Sequence, residues 1–145
     1  MIAFLQRVTH ASVSVDGEVV GRIGHGLMVL VAVRRDDDEA RAARLAGRVL
    51  AYRVFPDAHG RMNLDLRRAG GGLLLVPQFT LAADTRRGNR PGFSHAAPPE
   101  RARDLFVHML EAARRECAGV ESGRFGADMR VELVNDGPVS FWLEA

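Results

Sequence analysis

An α+β domain is the fold class that the sequence predicts, with a curled, barrel-like sheet and two main helices packed on one side of it. Three observations predict it. Apolar alternation of period two opens the chain, two stretches switch to the helical period, and the closing segment returns to period two between glycines and prolines. At 145 residues, 47% of them hydrophobic, the chain makes one domain, 1–145, with enough core to fold without disulfides or metals.

The elements follow in order. The opening IAFLQRVTHASVSVDGEVVGRIG reads as strands: Ala11, Val13 and Val15 alternate with Ser12 and Ser14, and Asp16-Gly17 supplies a hairpin turn. LMVLVAV, residues 27–33, is a buried strand. DDDEARAARLAGRVLAYRVF then changes period. Asp36 and Glu39 are spaced as a capping box, and Ala42, Leu45, Val49 and Tyr52 lie along one helical face. After the PDAHG turn, residues Met62 to Leu66 alternate as a strand, Gly70-Gly71-Gly72 interrupts the chain, and LLLVPQFTL resumes extended structure. Pro77 offers no N–H to a ladder and so marks an edge, a bulge or a strand end. On that strand Gln78 and Thr80 are expected on one face, with Phe79 and Leu81 on the other.

Residues Ala83 to Pro98 form a long loop rich in Arg, Gly and Pro, a kind of loop that is more often functional than idle. Pro98-Pro99 starts the second helix, on which Leu105, Phe106, Met109, Leu110 and Ala113 make one apolar face. The segment from Ser122 is read as a glycine-punctuated turn, a strand, a turn at Asn135-Asp136-Gly137-Pro138 and a last strand through Phe141-Trp142. In that turn glycine lets a ligand approach the main chain, and an X-Pro bond can be held cis.

Composition narrows the function. Cys117 is the single cysteine and cannot form an internal disulfide. The apolar start Ile2 to Leu5 is cut short by Gln6 and Arg7, which argues against a signal peptide, and the longest apolar run, Leu27 to Val33, is far too short to span a bilayer. A cytoplasmic protein without a membrane partner is expected. The formal charge is only +2, but arginine carries the cations and the pI is about 9.4, a balance that permits a nucleic-acid partner. The cluster Arg86, Arg87, Arg90 in ADTRRGNRPGF is either a solvated basic loop or a set of guanidinium groups for phosphates.

Ordinary catalytic machinery is missing from the pattern. His10, His25, His59, His95 and His108 are scattered, without HxH, HExxH or paired-cysteine spacing, so no metal and no cofactor are expected. There is no GxSxG elbow and no Walker loop, and the triple glycine lacks the lysine and helix of a phosphate cradle. What remains is VPQFTL, where the Thr80 hydroxyl is a possible nucleophile with no base adjacent to it.

MIAFLQRV, QFTLAADTRRG, GRFGADM and NDGPVSFWL together resemble the D-aminoacyl-tRNA deacylases, across essentially the full length. The resemblance implies a homodimeric esterase of D-aminoacyl-tRNA that works without a metal. In the first motif Gln78, Phe79 and Thr80 match, while Pro77 stands where serine is usual. In the second, Asn135, Gly137, Pro138 and Val139 match, with Ser140 in place of threonine and Asp136 between. A sibling group that edits L-alanine carries proline at the first motif's opening place. Phe79 and Arg7 favour the D-specific branch, in which arginine holds the Gly-Pro element in its cis form.

By the same resemblance, Gln78, Phe79 and Thr80 form the catalytic element and Gly137-Pro138 a chirality filter that enters the partner subunit's pocket. Pro77, Leu81, Asn135, Asp136, Val139 and Ser140 are implied to contact substrate. Phe125 and Met129 either pack the terminal adenine or are plain core residues, and Arg86, Arg87 and Arg90 are candidates for the acceptor-stem backbone of the tRNA, with no sequence-specific role. Glycyl-tRNA, with no side chain to exclude, is expected to be a substrate too. A non-catalytic nucleic-acid-binding module is the alternative of a different class.

Overall fold

A computed structural model describes residues 1–145. Strands β1 (Ile2–Val15), β2 (Glu18–Ile23) and β3 (Gly26–Ala32) precede helix α1 (Glu39–Ala51). A two-stranded ribbon of β4 (Phe55–Pro56) and β5 (Met62–Leu64) follows, and then β6 (Gly72–Pro77) and a 3-10 turn (Phe79–Ala82). Helix α2 (Pro99–Glu116), β7 (Val120–Ser122) and β8 (Arg130–Glu144) complete the chain.

The main sheet runs β2-β1-β3-β6-β7, with β8 on the other edge of β1. Hairpin pairs are antiparallel, whereas β3-β6 and β6-β7 are parallel, because α1 and α2 lie in the crossovers. The sheet curls until β2 nears β7: a Cβ at Gly21 would stand 2.8 Å from the Ser122 carbonyl oxygen, so only glycine allows that closure. The mixed, nearly closed sheet with two helices agrees with the fold class expected from the sequence.

Both faces of the central strands are buried, which explains their unbroken apolar runs. Leu27, Val29, Val31, Leu73 and Leu75 face α1 and α2, while Met28, Leu74 and Val76 join Val8, Val13 and Ile23 inside the curl. Helix α2 contributes the expected Leu105, Phe106, Met109, Leu110 and Ala113 to the first layer. Truncating Leu105, fully buried, to alanine would cost about 2–5 kcal/mol. Asp37 is the only buried charged side chain. Its oxygens accept from the Met1 ammonium at 2.5 Å and from the Arg34 N–H at 2.6 Å, so its charge is compensated.

Several local expectations are corrected. Helix α1 is capped by Asp38, whose carboxylate accepts from the Arg41 N–H at 2.8 Å; Asp36 lies outside the helix, and Tyr52 is its C-cap. The strand expected over residues 62–66 stops at Leu64, since the Asp65 carboxylate binds the Arg68 N–H and turns the chain. Val120–Ser122 forms a strand that too short an apolar signal had concealed. The largest correction is at Asn135-Asp136-Gly137-Pro138: the chain does not reverse there, and both flanks belong to one strand, β8, each paired with β1 on either side of a bulge.

Candidate active site

The extended reading of VPQFTL fails one residue past Pro77. Gln78 N–H donates to Val31 O at 2.7 Å, so on an alternating backbone the Pro77 nitrogen faces the β7 side, where β7 has already ended. The missing donor therefore costs nothing. Phe79 to Ala82 then wind into a 3-10 turn, not a strand face. Gln78 and Thr80 still meet, because the turn brings the Gln78 amide onto the Thr80 hydroxyl. No side chain caps this turn, so its first N–H groups are open to a ligand.

Pro77, Gln78 and Phe79 form one wall of a cavity of about 320 Å³ whose other wall is Phe125 to Met129, with Val131 beyond. Met129 packs onto the core inside the curl, and Phe125 leans on Phe106 with ring centroids 6.4 Å apart. The Arg103 guanidinium sits 5.6 Å over the Phe125 ring and steadies it from outside. Asp128 also lines this cavity and is its only ionisable side chain. Sequence reasoning missed it, because nothing in GRFGADM says which wall an aspartate will occupy.

Gly137-Pro138 is built separately, on the long β1-β8 ladder. Val8 pairs with Asn135 and Gln6 with Ser140, so the four residues Asp136 to Val139 loop out opposite the single residue Arg7. The peptide between Gly137 and Pro138 is cis. Arg7 Nε–H donates to Asp136 O at 3.1 Å and Nη1–H to Val54 O at 2.6 Å, tying the bulge to the segment after α1. The Asn135 side chain closes the base, its Oδ1 accepting from Val139 N–H at 2.8 Å and its Nδ2 donating to Ser140 Oγ at 3.0 Å. Gly137 has φ +138°, and a Cβ there would meet Val139 Cγ2 at 2.7 Å. Within one chain the bulge does not line the Gln78-Phe79 cavity.

Leu81 faces a different cavity, of about 450 Å³, together with Arg34, Arg35, Asp84, Arg86 and His95. An adjoining one of about 580 Å³ gathers Arg86, Arg87 and Arg90 around Asp84, Gly92 and Ser94. The arginine loop is a built structure. Asp84 and Gly92 exchange backbone hydrogen bonds at 2.7 and 3.0 Å, and the Asp84 carboxylate grips Arg86 Nε–H at 2.9 Å and Nη2–H at 2.7 Å. The Arg86 side chain, followed by its backbone N–H, pulls the Asp84 carboxyl far below its usual range. Asp84 and Arg35 were not singled out from sequence. An aspartate two places before an arginine was the available signal for the first.

The matching family model and the curated relatives over the full chain are deacylases, so the class is hydrolase. The family model for D-Tyr-tRNA(Tyr) deacylase matches residues 4–144. D-aminoacyl-tRNA deacylases from Alkalilimnicola ehrlichii and Citrobacter koseri are 62% and 59% identical, covering 100% and 99% of this chain and 97% and 99% of their own. The chain belongs to the D-aminoacyl-tRNA deacylase family. Among solved structures, one named c-Myc DNA Unwinding Element Binding Protein superposes with a TM-score of 0.95 at 36% identity, covering 100% of this chain and 99% of its own. A probable eukaryotic D-amino acid tRNA deacylase gives a TM-score of 0.84 at 17% identity, covering 99% and 98%, a likeness of fold alone. No helix is long and apolar enough to cross a membrane.

Proposed function

We propose that this protein hydrolyses the ester of D-aminoacyl-tRNA, and of glycyl-tRNA, as a homodimer in which the bulge of one subunit serves the cavity of the other. The observation that carries the reading is the bulge itself. Four residues stand out from a strand, braced by Arg7 and Asn135, yet they do not line the Gln78-Phe79 cavity of their own chain. The free edge of β8 supports a second copy as the partner. It is fifteen residues long and leaves Val131, Val134 and Trp142 exposed, the kind of edge that a pairing subunit covers.

With Asp136 O engaged by Arg7, the Gly137 and Pro138 carbonyls are the ones free to accept from a substrate ammonium. A main-chain acceptor placed there occupies the volume of an L side chain and leaves a D side chain pointing outward, so selection acts by exclusion. Glycine has nothing to exclude. Pro77, Phe125 and Met129 would enclose the terminal adenosine, while Asn135, Val139 and Ser140 fix the filter. Leu81 would act from the far side of the 3-10 turn.

For the chemistry, water adds to the ester carbonyl, the oxyanion is held by the open N–H groups at Phe79 and Thr80, and the bond to the ribose oxygen then breaks. One proton of the water passes to the departing ribose oxygen, assisted by the neighbouring ribose hydroxyl, and the other to solvent, so that the amino-acid carboxylate and the free ribose hydroxyl leave as products. Gln78 and Thr80, bonded to each other, position the ester and do not attack it. No metal or cofactor takes part in this route.

A second reading, nucleic-acid binding without hydrolysis, is favoured by the name of the 36% identical neighbour and by the arginine loop. One assay separates them. Deacylation of tRNA charged with D-tyrosine, glycine or L-alanine should be rapid for the first two and slow for the third. Rapid release of L-alanine would assign the sibling activity that Pro77 hints at, and binding without any release would leave a binding module.

A further inference from the structure

We infer that Phe93, with Phe79, forms an open aromatic platform that stacks the unpaired nucleotide preceding the terminal adenosine; the inference rests on the deacylase reading above. The two rings lie 5.1 Å apart, centroid to centroid, with planes 53° apart. They brace each other, yet Phe79 is 57% and Phe93 40% exposed. Exposing two large aromatic rings side by side wastes apolar area that the core could have buried, unless something flat covers them.

The surroundings say what that is. Phe79 also walls the cavity formed with Phe125 and Met129, so the pair stands at the mouth of the adenosine site. On its other side Phe93 is flanked in the chain by Gly92 and Ser94, both of which line the cavity shared with Arg87 and Arg90. Aromatic faces leading into a cationic groove are what a single-stranded nucleic acid requires, since bases stack while phosphates track guanidinium groups. A strand leaving the adenosine site would cross the two rings before it reached the arginines. Arg86 adds little to that field because Asp84 holds it, which leaves Arg87 and Arg90 for the phosphates.

The platform is fixed in place. Ala96 N–H donates to Phe93 O at 3.1 Å, Arg35 N–H to His95 O at 3.0 Å and Ala97 N–H to Val33 O at 3.0 Å, tying this end of the loop to the segment after β3. Phe93 takes no part in the chemistry, so its effect is on binding and scales with the length of the nucleic acid.

The test uses the full-length protein and three amide-linked, non-hydrolysable probes: D-alanyl-3′-aminoadenosine alone, and the same with one and with two cytidines on its 5′ side. In wild type the first cytidine should tighten binding. F93A should forfeit roughly 5-fold to 150-fold of that gain, the usual range for an aromatic ring beneath a base. F93W should keep it, F93L should lose it as F93A does, and all four should bind the adenosine probe equally. An unchanged cytidine gain in F93A, a full gain in F93L, or an equal loss on the adenosine probe overturns the platform. Dissociation of F93A at concentrations where wild type is dimeric also overturns it, assigning the rings to the subunit contact. If wild type binds the adenosine probe with no gain from cytidine, the platform alone falls; if it binds none of the probes, the deacylase reading falls with it.

Discussion

Arg7 and Asp136 meet across the β1-β8 ladder, the guanidinium donating 3.1 Å to the Asp136 carbonyl and standing 3.3 Å from its carboxylate. The same side chain reaches Val54 O at 2.6 Å, so one residue of β1 connects the bulge to the segment between α1 and β4. Removing it unties both. Arg7→Ala is expected to cost about 1–3 kcal/mol, because the carbonyl of buried Val54 loses a charged donor. Discrimination should fall further than stability, with L-alanyl-tRNA hydrolysis rising relative to D-tyrosyl-tRNA. Paired D- and L-deacylation rates with a melting curve check this, and an equally selective, equally stable variant would sink it.

Gly137 admits no side chain without movement of the bulge. A Cβ there would meet Val139 Cγ2 at 2.7 Å and Arg7 Nη2 at 3.3 Å, at a φ of +138° that L residues rarely adopt. Gly137→Ala should therefore lose most D-deacylation. The strain at that φ should also cost about 1 kcal/mol of stability, a modest fall in the urea midpoint that leaves the protein folded. Wild-type turnover in this variant would remove the bulge from the reaction.

Thr80→Ala and Asp128→Asn test the route of hydrolysis. Thr80 is exposed and bonded to Gln78, and Asp128 is the cavity's sole carboxylate. If the ribose hydroxyl assists departure, both variants keep appreciable single-turnover rates on D-tyrosyl-tRNA. A drop in Asp128→Asn on the order of 100-fold or more, the scale of general-base catalysis, would assign the base to the protein. So would a trapped acyl-Thr80 ester, for a nucleophilic route.

The arginine loop should not behave as three equal charges. Asp84 pairs with Arg86 at 2.7 Å and leaves Arg87 and Arg90 with no carboxylate partner. Each phosphate contact on a single strand contributes a salt slope of about 0.7. Arg87→Ala and Arg90→Ala should each flatten the salt dependence of tRNA binding by about that amount, and Arg86→Ala by less. Equal slopes for all three would show that Asp84 releases Arg86 to the RNA.

Acid should weaken the seam between the β8 end and the segment after β3. Hydrogen bonds from Arg34 and then from the Trp142 indole hold the Glu144 carboxyl down at about 2. The folded state thus favours the charged form. Its contribution is complete above the ordinary value of 4.5 and fades as pH falls from there towards about 2. Both side chains are more than a third exposed, so solvent and salt limit the size of the effect. Glu144→Gln should flatten the fall of the urea midpoint across that window, and a parallel acid limb in both proteins would contradict the assignment.

Periodicity and punctuation by themselves determined the two helices, the central apolar strands, the Asp16-Gly17 hairpin and the long arginine loop, because each is a local pattern read over a few turns or strand repeats. Family likeness in the residues around Gln78 and Asn135 likewise points to the deacylases. What only the tertiary structure decided depends on partners far apart in sequence. Asn135 to Pro138 have the vocabulary of a reversal, yet continue one strand, because β1 pairs with both flanks and Arg7 fills the gap between them. Phe79 to Leu81 look extended, yet wind into a turn, because the β7 edge has run out at Pro77. Phe93 and Phe79, fourteen places apart, become a pair only when the loop is tied back beside β3. A ladder's end, a bulge's brace and a loop's anchor are properties of the neighbouring strand, and no window of sequence contains the neighbour.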